Sequence, residues 1–299
     1  MKAPRANRSE INGWVVLDKP VGMTSTHAVS RLKRIFNAKK AGHAGTLDPL
    51  ASGLLPVAFG EATKTVPFVQ DGEKAYRFTI GWGAETDSDD SDGTVTRRSE
   101  ARPEQDQIVA AMPQFIGTFM QQPPAFSAIK VAGERAYDLA RDGEPPDLAP
   151  RPVTIEELRL VAASRDEATF ETRCGKGTYV RALARDLGRV LGCLGHVTAL
   201  RRTRVGPFTE ADAVPLARLM EMEPFECLRR VEAGPLEVPQ VDVDRETAAR
   251  LRRGQSIILR GRDAPVEGRA FASCGGVVVA VGAIESGELV PGRVFNLPF

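Results

Sequence analysis

The stretch Lys40-Ala41-Gly42-His43-Ala44-Gly45-Thr46-Leu47-Asp48-Pro49-Leu50-Ala51-Ser52-Gly53-Leu54-Leu55-Pro56 is rich in glycine and carries one acid, Asp48, in seventeen residues. A carboxylate so placed stands almost alone. One reading makes Asp48 the shaper of an Asp-Pro turn, its oxygens accepting from nearby backbone N–H groups. The other makes it a nucleophile, with the glycines letting the backbone approach a ligand. His43 is open in the same way: a surface or hydrogen-bonded histidine, or a ring that stacks on a base beside a basic stretch of chain. Spacing alone leaves both questions open.

The elements around this loop are legible from periodicity. Trp14, Val15, Val16 and Leu17 read as a buried strand ended by Lys19-Pro20, behind a basic arm expected to be disordered over residues 1–10. From Thr24, the residues Ala28, Val29, Leu32, Ile35 and Phe36 follow helical spacing behind a Thr/Ser cap, and leave Arg31, Lys33 and Arg34 outward. Residues 54–59 read as a strand, as do residues 74–81, where Tyr76, Phe78 and Ile80 share one face. Helices are predicted at 104–115 and 134–142, strands at 153–161 and 168–174, and a helix through Val180, Leu183, Ala184, Leu187, Val190 and Leu191. Arg181, Arg185 and Arg189 fall on the opposite face of that last helix at four-residue steps. Beyond about residue 238 a helix at 245–253 precedes short Val/Gly-rich strands such as 276–283, the pattern of a small β-rich appendage.

Charge is segregated although the total is nearly balanced, with Lys+Arg 40 against Asp+Glu 39 in 299 residues. Residues 1–50 hold nine Lys/Arg against three acids, and 173–204 hold eight against Asp186 alone, so both read as basic patches. Residues 85–106 run the other way, with eight acids against three arginines, and read as a solvated loop or as negative steering. The cysteines at 174, 193, 227 and 274 form no CxxC pair and no zinc spacing, which fits the reduced thiols of a cytoplasmic protein. No apolar run approaches the ~20 residues of a membrane span, and the first ten residues lack the apolar stretch of a signal peptide.

Four further segments occur in order along the chain: Asp18-Lys19-Pro20-Val21-Gly22-Met23-Thr24-Ser25, Lys74-Ala75-Tyr76, Gly177-Thr178-Tyr179-Val180-Arg181 and Leu200-Arg201-Arg202-Thr203. With Gly42-His43-Ala44-Gly45-Thr46-Leu47-Asp48-Pro49 they resemble the TruB family of bacterial tRNA pseudouridine-55 synthases, over about residues 11–208. The resemblance implies an α+β pseudouridine synthase fold, with a mixed central sheet and flanking helices spanning residues 11–237. A thumb-like insertion is expected at 123–152, where Gln122-Pro123-Pro124-Ala125-Phe126-Ser127-Ala128-Ile129-Lys130 resembles the start of the family's mobile thumb. Position alone suggests a PUA-like RNA-binding domain at 238–299.

The same resemblance implies roles for single residues. Asp48 matches the catalytic aspartate, Tyr76 the tyrosine that stacks on the target base and is a candidate for removing a proton late in the reaction, and Arg181 the arginine paired with the acid. Such a pair keeps a carboxylate ionised in a dry pocket. Tyr179 and Leu200 match residues lining the uracil pocket, while Lys19, Pro20, His43 and Lys64 match RNA-contacting or site-supporting positions. For Arg185 and Arg189 the plain reading is retained, that of exposed charges on a helix face. Phe126 stands where Tyr is frequent in the family, and Ala182 where Ser or Thr is common.

Isomerisation consumes no redox equivalent and takes no group from a donor, so neither cofactor nor metal is expected. An enzyme acting on a base in a folded loop must flip it out, at a cost of a few kcal/mol, and fill the gap with other groups. The expected partner is the T-stem-loop of tRNA, bound by a cytoplasmic monomer with no obligatory protein partner and no membrane association. The main rival is a non-catalytic tRNA-binding or folding chaperone of the same fold. A glycosidase normally needs two paired acids where one is convincingly placed here, and the short basic arm argues against the guide-RNA-dependent relatives.

Overall fold

The strand Lys74–Trp82 alternates as its residues require: Phe78, Ile80 and Trp82 turn into the core while Arg77 faces solvent. It lies near the middle of a ten-stranded mixed sheet in a computed structural model of the chain, which describes residues 8–127, 129–131, 133–144, 146–234, 238–259 and 266–298. On one side it pairs antiparallel with Gly195–Val205, which runs parallel to Ala51–Phe59, itself antiparallel to Gly13–Lys19. On the other side follow Glu167–Cys174, Arg151–Ala163 and Gly117–Gln121, all antiparallel. The helix Val180–Val190 lays Leu183, Ala184 and Leu187 on this sheet, and Ser25–Ile35 contributes Ala28 and Leu32 to the same core. Thr24 caps the latter helix by accepting from the His27 N–H.

Register does two things for the cleft. It sets Tyr76 directly opposite Arg202 across one strand pair, and Gly53 opposite Arg202 across the next. Gly53 has φ +96°, and a Cβ there would lie 2.2 Å from the Arg202 carbonyl oxygen. Only glycine lets the two strands close at this point.

Between the strands Gly117–Gln121 and Arg151–Ala163 the chain leaves the sheet as a short hairpin, Lys130–Val131 with Glu134–Arg135, and a helix Ala136–Arg141. At the other end of the chain, five strands between Gln240 and Val294 form a separate sheet, with the helix Arg245–Arg252 packed against it. That sheet is not a detached module. Phe271, Val278, Val281 and Phe295 close one core with Trp14, Val16, Leu54 and Phe208 of the large sheet.

Each large side chain so covered contributes about 1.5–3 kcal/mol, against a total stability of about 5–15 kcal/mol for ordinary domains. Deleting residues 238–299 is therefore expected to lower the thermal midpoint sharply or to prevent folding. Calorimetry of the shortened chain checks this, and an unchanged midpoint would contradict the shared core.

Residues 1–7 of the expected disordered arm lie outside the described residues. Residues 8–10 depart from that expectation: Ser9 bridges Ala38, its N–H donating to the Asn37 carbonyl at 2.8 Å, and Glu10 pairs with Lys39 at 2.9 Å. Backbone order thus begins before Ile11. Among the described residues no helix is long and apolar enough to cross a membrane.

Candidate active site

The loop carrying Asp48 is clamped from three sides. Buried Ser25 donates to the Leu47 carbonyl at 2.9 Å and accepts from the Leu47 N–H at 2.8 Å. Lys19, fully buried at the end of its strand, donates to the carbonyls of Met23 at 2.7 Å, Pro20 at 2.9 Å and Pro49 at 3.5 Å. Arg202 donates to the Gly45 carbonyl at 3.0 Å and the Thr46 carbonyl at 3.3 Å. Satisfied so thoroughly, the loop's backbone fixes where the Asp48 carboxylate points.

Asp48, Tyr76, Tyr179, Arg181 and Leu200 line one cavity of about 320 Å³, together with Ser127, Thr178 and Arg202. The Arg181 Nε forms an ion pair with Asp48 Oδ2 at 3.0 Å. Burial is the reverse of that expected: the arginine side chain is 6% exposed and the acid 38%. The carboxylate thus faces the cleft while the protein interior holds its cation. Arg181 also donates to the Ser88 carbonyl at 2.7 Å and the Phe126 carbonyl at 2.8 Å, and sits 3.5 Å from Asp90 Oδ2. Tyr179 is held at the start of the Val180–Val190 helix by Gln121, which accepts from its N–H at 2.9 Å and donates to its carbonyl at 3.2 Å.

Enclosure also perturbs the titrating groups. Burial pushes the Tyr76 phenol up to about 12, against the opposing charge of the Arg202 guanidinium on the neighbouring strand. Burial lowers Lys19 to about 8, with Asp48 working the other way and Arg202 adding to the depression. His43, on the short strand Ala41–His43, is pushed down from its ordinary value by burial and by Arg202, and its Nδ1 is enclosed without a hydrogen-bond partner. Lys19, Pro20 and His43 are absent from the cavity lining; Lys19 binds the loop's Pro49 carbonyl, and Pro20 is exposed.

Lys64 is not brought to the cleft. Its ammonium binds Glu61 at 2.7 Å and the Val294 carbonyl at 2.8 Å and sits over the Phe295 ring, so it ties the small sheet to the large one.

The exposed-face reading of Arg185 is also corrected. Arg185 is buried, donating to Asp89 Oδ2 and the Gln122 carbonyl at 2.9 Å each and to Asp186 at 2.8 Å. Arg189 is half-exposed but chelates Glu85 at 2.7 and 3.0 Å. The acidic segment is correspondingly no solvated loop where it meets this helix, since Glu85, Asp89 and Asp90 are buried against the arginine row. A buried charge needs a partner, and here each helix-face cation finds one about a hundred residues earlier in the chain.

Asp89 adopts φ +60° and is pushed up to about 6, chiefly by burial, with Arg185, Arg181 and Arg189 opposing. A carboxyl raised in the folded state contributes stability that is fully present below its unfolded value near 4 and is lost as pH rises through about 6. Asp89→Asn should remove that slope. Denaturant midpoints measured between those pH values check this, and parallel curves for the two proteins would contradict it.

Arg202 lies in the motif segment Leu200-Arg201-Arg202-Thr203 and in a basic patch, yet the sequence assigns it no role of its own. It is 2% exposed, and its Nε donates to the Leu54 carbonyl at 2.9 Å. A signal was available: Leu200 and Arg202 are two apart on a strand and so share a face.

A lone acid on a clamped loop, paired with a buried arginine in a cavity walled by two tyrosines, in a mixed sheet with a second β-rich unit, is the arrangement of a pseudouridine synthase. The chain matches the TruB family pseudouridylate synthase N-terminal domain over residues 33–180 and the tRNA pseudouridylate synthase B C-terminal domain over 181–226. The tRNA pseudouridine synthase B of Bradyrhizobium diazoefficiens is 57% identical over 304 residues, covering 98% of this chain and 88% of that protein. The tRNA pseudouridine synthase B of Rhodopseudomonas palustris is 55% identical over 305 residues, covering 98% and 83%. In fold the chain is similar to a crystal structure of a Cbf5–Nop10–Gar1 complex, with TM-score 0.74 at 24% identity, covering 99% of this chain and 87% of that one. The chain belongs to the TruB family of pseudouridylate synthases.

Proposed function

We propose that this chain isomerises the uridine at position 55, in the T-loop of tRNA, to pseudouridine, with Asp48 as nucleophile. The observation that carries the reading is the Asp48 carboxylate, presented to the cleft with its Oδ2 fixed at 3.0 Å by a buried guanidinium. Tyr76, Tyr179 and Leu200 supply aromatic and apolar walls for an extruded uracil. The N1–C1′ bond breaks, a C5–C1′ bond forms, C5 loses a proton and N1 gains one, so nothing is consumed. The protein is expected to work on the T-stem-loop as a cytoplasmic monomer without a protein partner. Release of tritium from C5-labelled uridine in a tRNA transcript, followed by mapping of the modified position, tests reaction and site together. No release, or release from another position, would reject the reading.

The RNA face is narrower than the charge count suggested. Arg173, Lys176, Arg201 and Arg204 are paired with acids on the surface, at 2.8, 3.0, 2.9 and 3.5 Å. The remaining four cations of 173–204 are the helix row and Arg202, so the segment brings few uncommitted charges. Phosphate binding is therefore assigned to the 1–50 patch, where Arg31, Lys33 and Arg34 lie on one helix. Affinity for tRNA should fall log-linearly with salt, on the order of 10- to 100-fold between about 50 and about 200 mM. Arg34→Gln should flatten that slope and Arg173→Gln should not. Equal slopes for wild type and both variants would place the RNA elsewhere.

A further inference from the structure

Two hydroxyls on the wall of the Asp48 cavity are enclosed and make no hydrogen bond, Ser127 Oγ and Thr178 Oγ1. Thr178 is half-buried, whereas Ser127 is only 3% exposed. A buried hydroxyl without a partner is costly, and in a native protein it needs an explanation. The backbone that carries Ser127 is firmly held. Where the chain leaves the sheet after Gly117–Gln121, Arg185 donates to the Gln122 carbonyl at 2.9 Å and Arg181 to the Phe126 carbonyl at 2.8 Å. The Ser127 N–H donates to the Ala125 carbonyl at 3.0 Å, and the Ser127 carbonyl accepts from the Tyr137 N–H at 2.9 Å. Burial raises the Tyr179 phenol and Ser127 opposes it, so the two are neighbours on the cavity wall, with no hydrogen bond between them. The main chain is thus fixed while the hydroxyl is left to turn toward a ligand.

We infer that Ser127 is a further catalytic residue, whose hydroxyl donates to a ring carbonyl oxygen of the extruded uracil and stabilises the negative charge the base acquires. The inference rests on the isomerisation proposed above. With N1 tied to the sugar, uracil offers two carbonyl oxygens, O2 and O4, and one N–H, at N3. When the Asp48 carboxylate attacks C1′, the C1′–N1 electron pair leaves with the base, and the charge that Asp48 gives up is shared among N1, O2 and O4. When it attacks C6 instead, the C5–C6 double-bond pair is displaced and the charge comes to C5 and O4. In either order a hydroxyl donor at a ring carbonyl binds more strongly as the reaction proceeds, which raises rate more than affinity. Arg181 pairs with Asp48 and also holds the Phe126 carbonyl beside Ser127, so one guanidinium places nucleophile and donor together.

The test is single-turnover isomerisation at saturating tRNA, with uridine, 2-thiouridine or 4-thiouridine at the target position. Sulfur accepts a hydrogen bond more weakly than oxygen. On uridine, Ser127→Ala should slow the reaction on the order of 10- to 100-fold, with tRNA affinity changed by no more than about twofold. On one of the two thio substrates the same substitution should cost about threefold or less, because the bond it removes is already weakened there. That substrate identifies the oxygen, and the other should show the full loss. Ser127→Cys, close in shape and a weaker donor, should lose less than alanine and show the same selective coupling.

A full loss on both thio substrates would overturn the inference and leave Ser127 a support of the cavity wall. Wild-type rates for Ser127→Ala on uridine would overturn it as well. So would a loss that vanishes in a Tyr179→Phe background yet persists on both thio substrates, since Ser127 would then merely orient the phenol. A wild-type protein that releases no C5 hydrogen from uridine in tRNA would overturn the isomerisation reading itself, whereas wild-type turnover with any of those three results removes the role of Ser127 alone.

Discussion

Asp48→Asn is expected to lose isomerisation by at least about 10⁴-fold while tRNA affinity changes by no more than about threefold. The amide keeps the shape of the side chain and can still accept from Arg181, so the cleft should remain assembled. What it cannot do is form the covalent bond to the nucleoside that the proposed mechanism requires. Among the described residues no other acid lines the cavity of Asp48, Tyr76 and Tyr179, and Asp90 is buried, 3.5 Å from Arg181. Single-turnover assays with purified protein check the rate, and filter binding checks the affinity. Appreciable turnover by the variant would reject Asp48 as nucleophile. A chaperone without chemistry would instead leave both proteins inactive, so the wild-type control separates the two readings.

The parts of this architecture that were legible in the sequence are those governed by local periodicity. Phe78 and Ile80 two apart, or Leu183, Ala184 and Leu187 at helical spacing, announce a buried face whatever they pack against. The motif residues Asp48, Tyr76, Tyr179, Arg181 and Leu200 also converge on one cavity, though they come from four places in the chain. Charge was misread for a physical reason. A count along the chain registers which ions are near in sequence, whereas burial is decided by partners distant in sequence. Arg185 and Asp89 are 96 residues apart, Arg189 and Glu85 are 104 apart, and each half looks solvated until the other is placed beside it. Lys64 failed similarly, since its partner carbonyl at Val294 belongs to the other sheet. Tyr76 and Arg202 could have been paired only by knowing the strand register.

Arg181→Met should reduce the single-turnover rate on the order of 10²–10³-fold with little change in the tRNA dissociation constant. The guanidinium is 6% exposed and its donors are committed to Asp48, Ser88 and Phe126, so none is aimed at a phosphate. Losing it would free the Asp48 carboxylate to rotate and would leave Asp90 buried without its cation, a defect that should also lower the thermal midpoint. Arg181→Lys separates these effects. It keeps a charge beside both acids but cannot reproduce the planar fork that reaches Nε to Asp48 and the two terminal nitrogens to carbonyls. Stability should therefore recover further than rate. Arg185 cannot serve as the neutral control, because it is buried and pairs with Asp89 at 2.9 Å. Arg159→Met is suitable instead: its side chain is 56% exposed and pairs with Glu171 on the outer surface of the sheet, where such pairs contribute about 0–1 kcal/mol. It should retain the wild-type rate. If Arg181→Met reacts at the wild-type rate and merely binds tRNA less tightly, the arginine is a phosphate ligand, and the Asp48 carboxylate needs no cation to react.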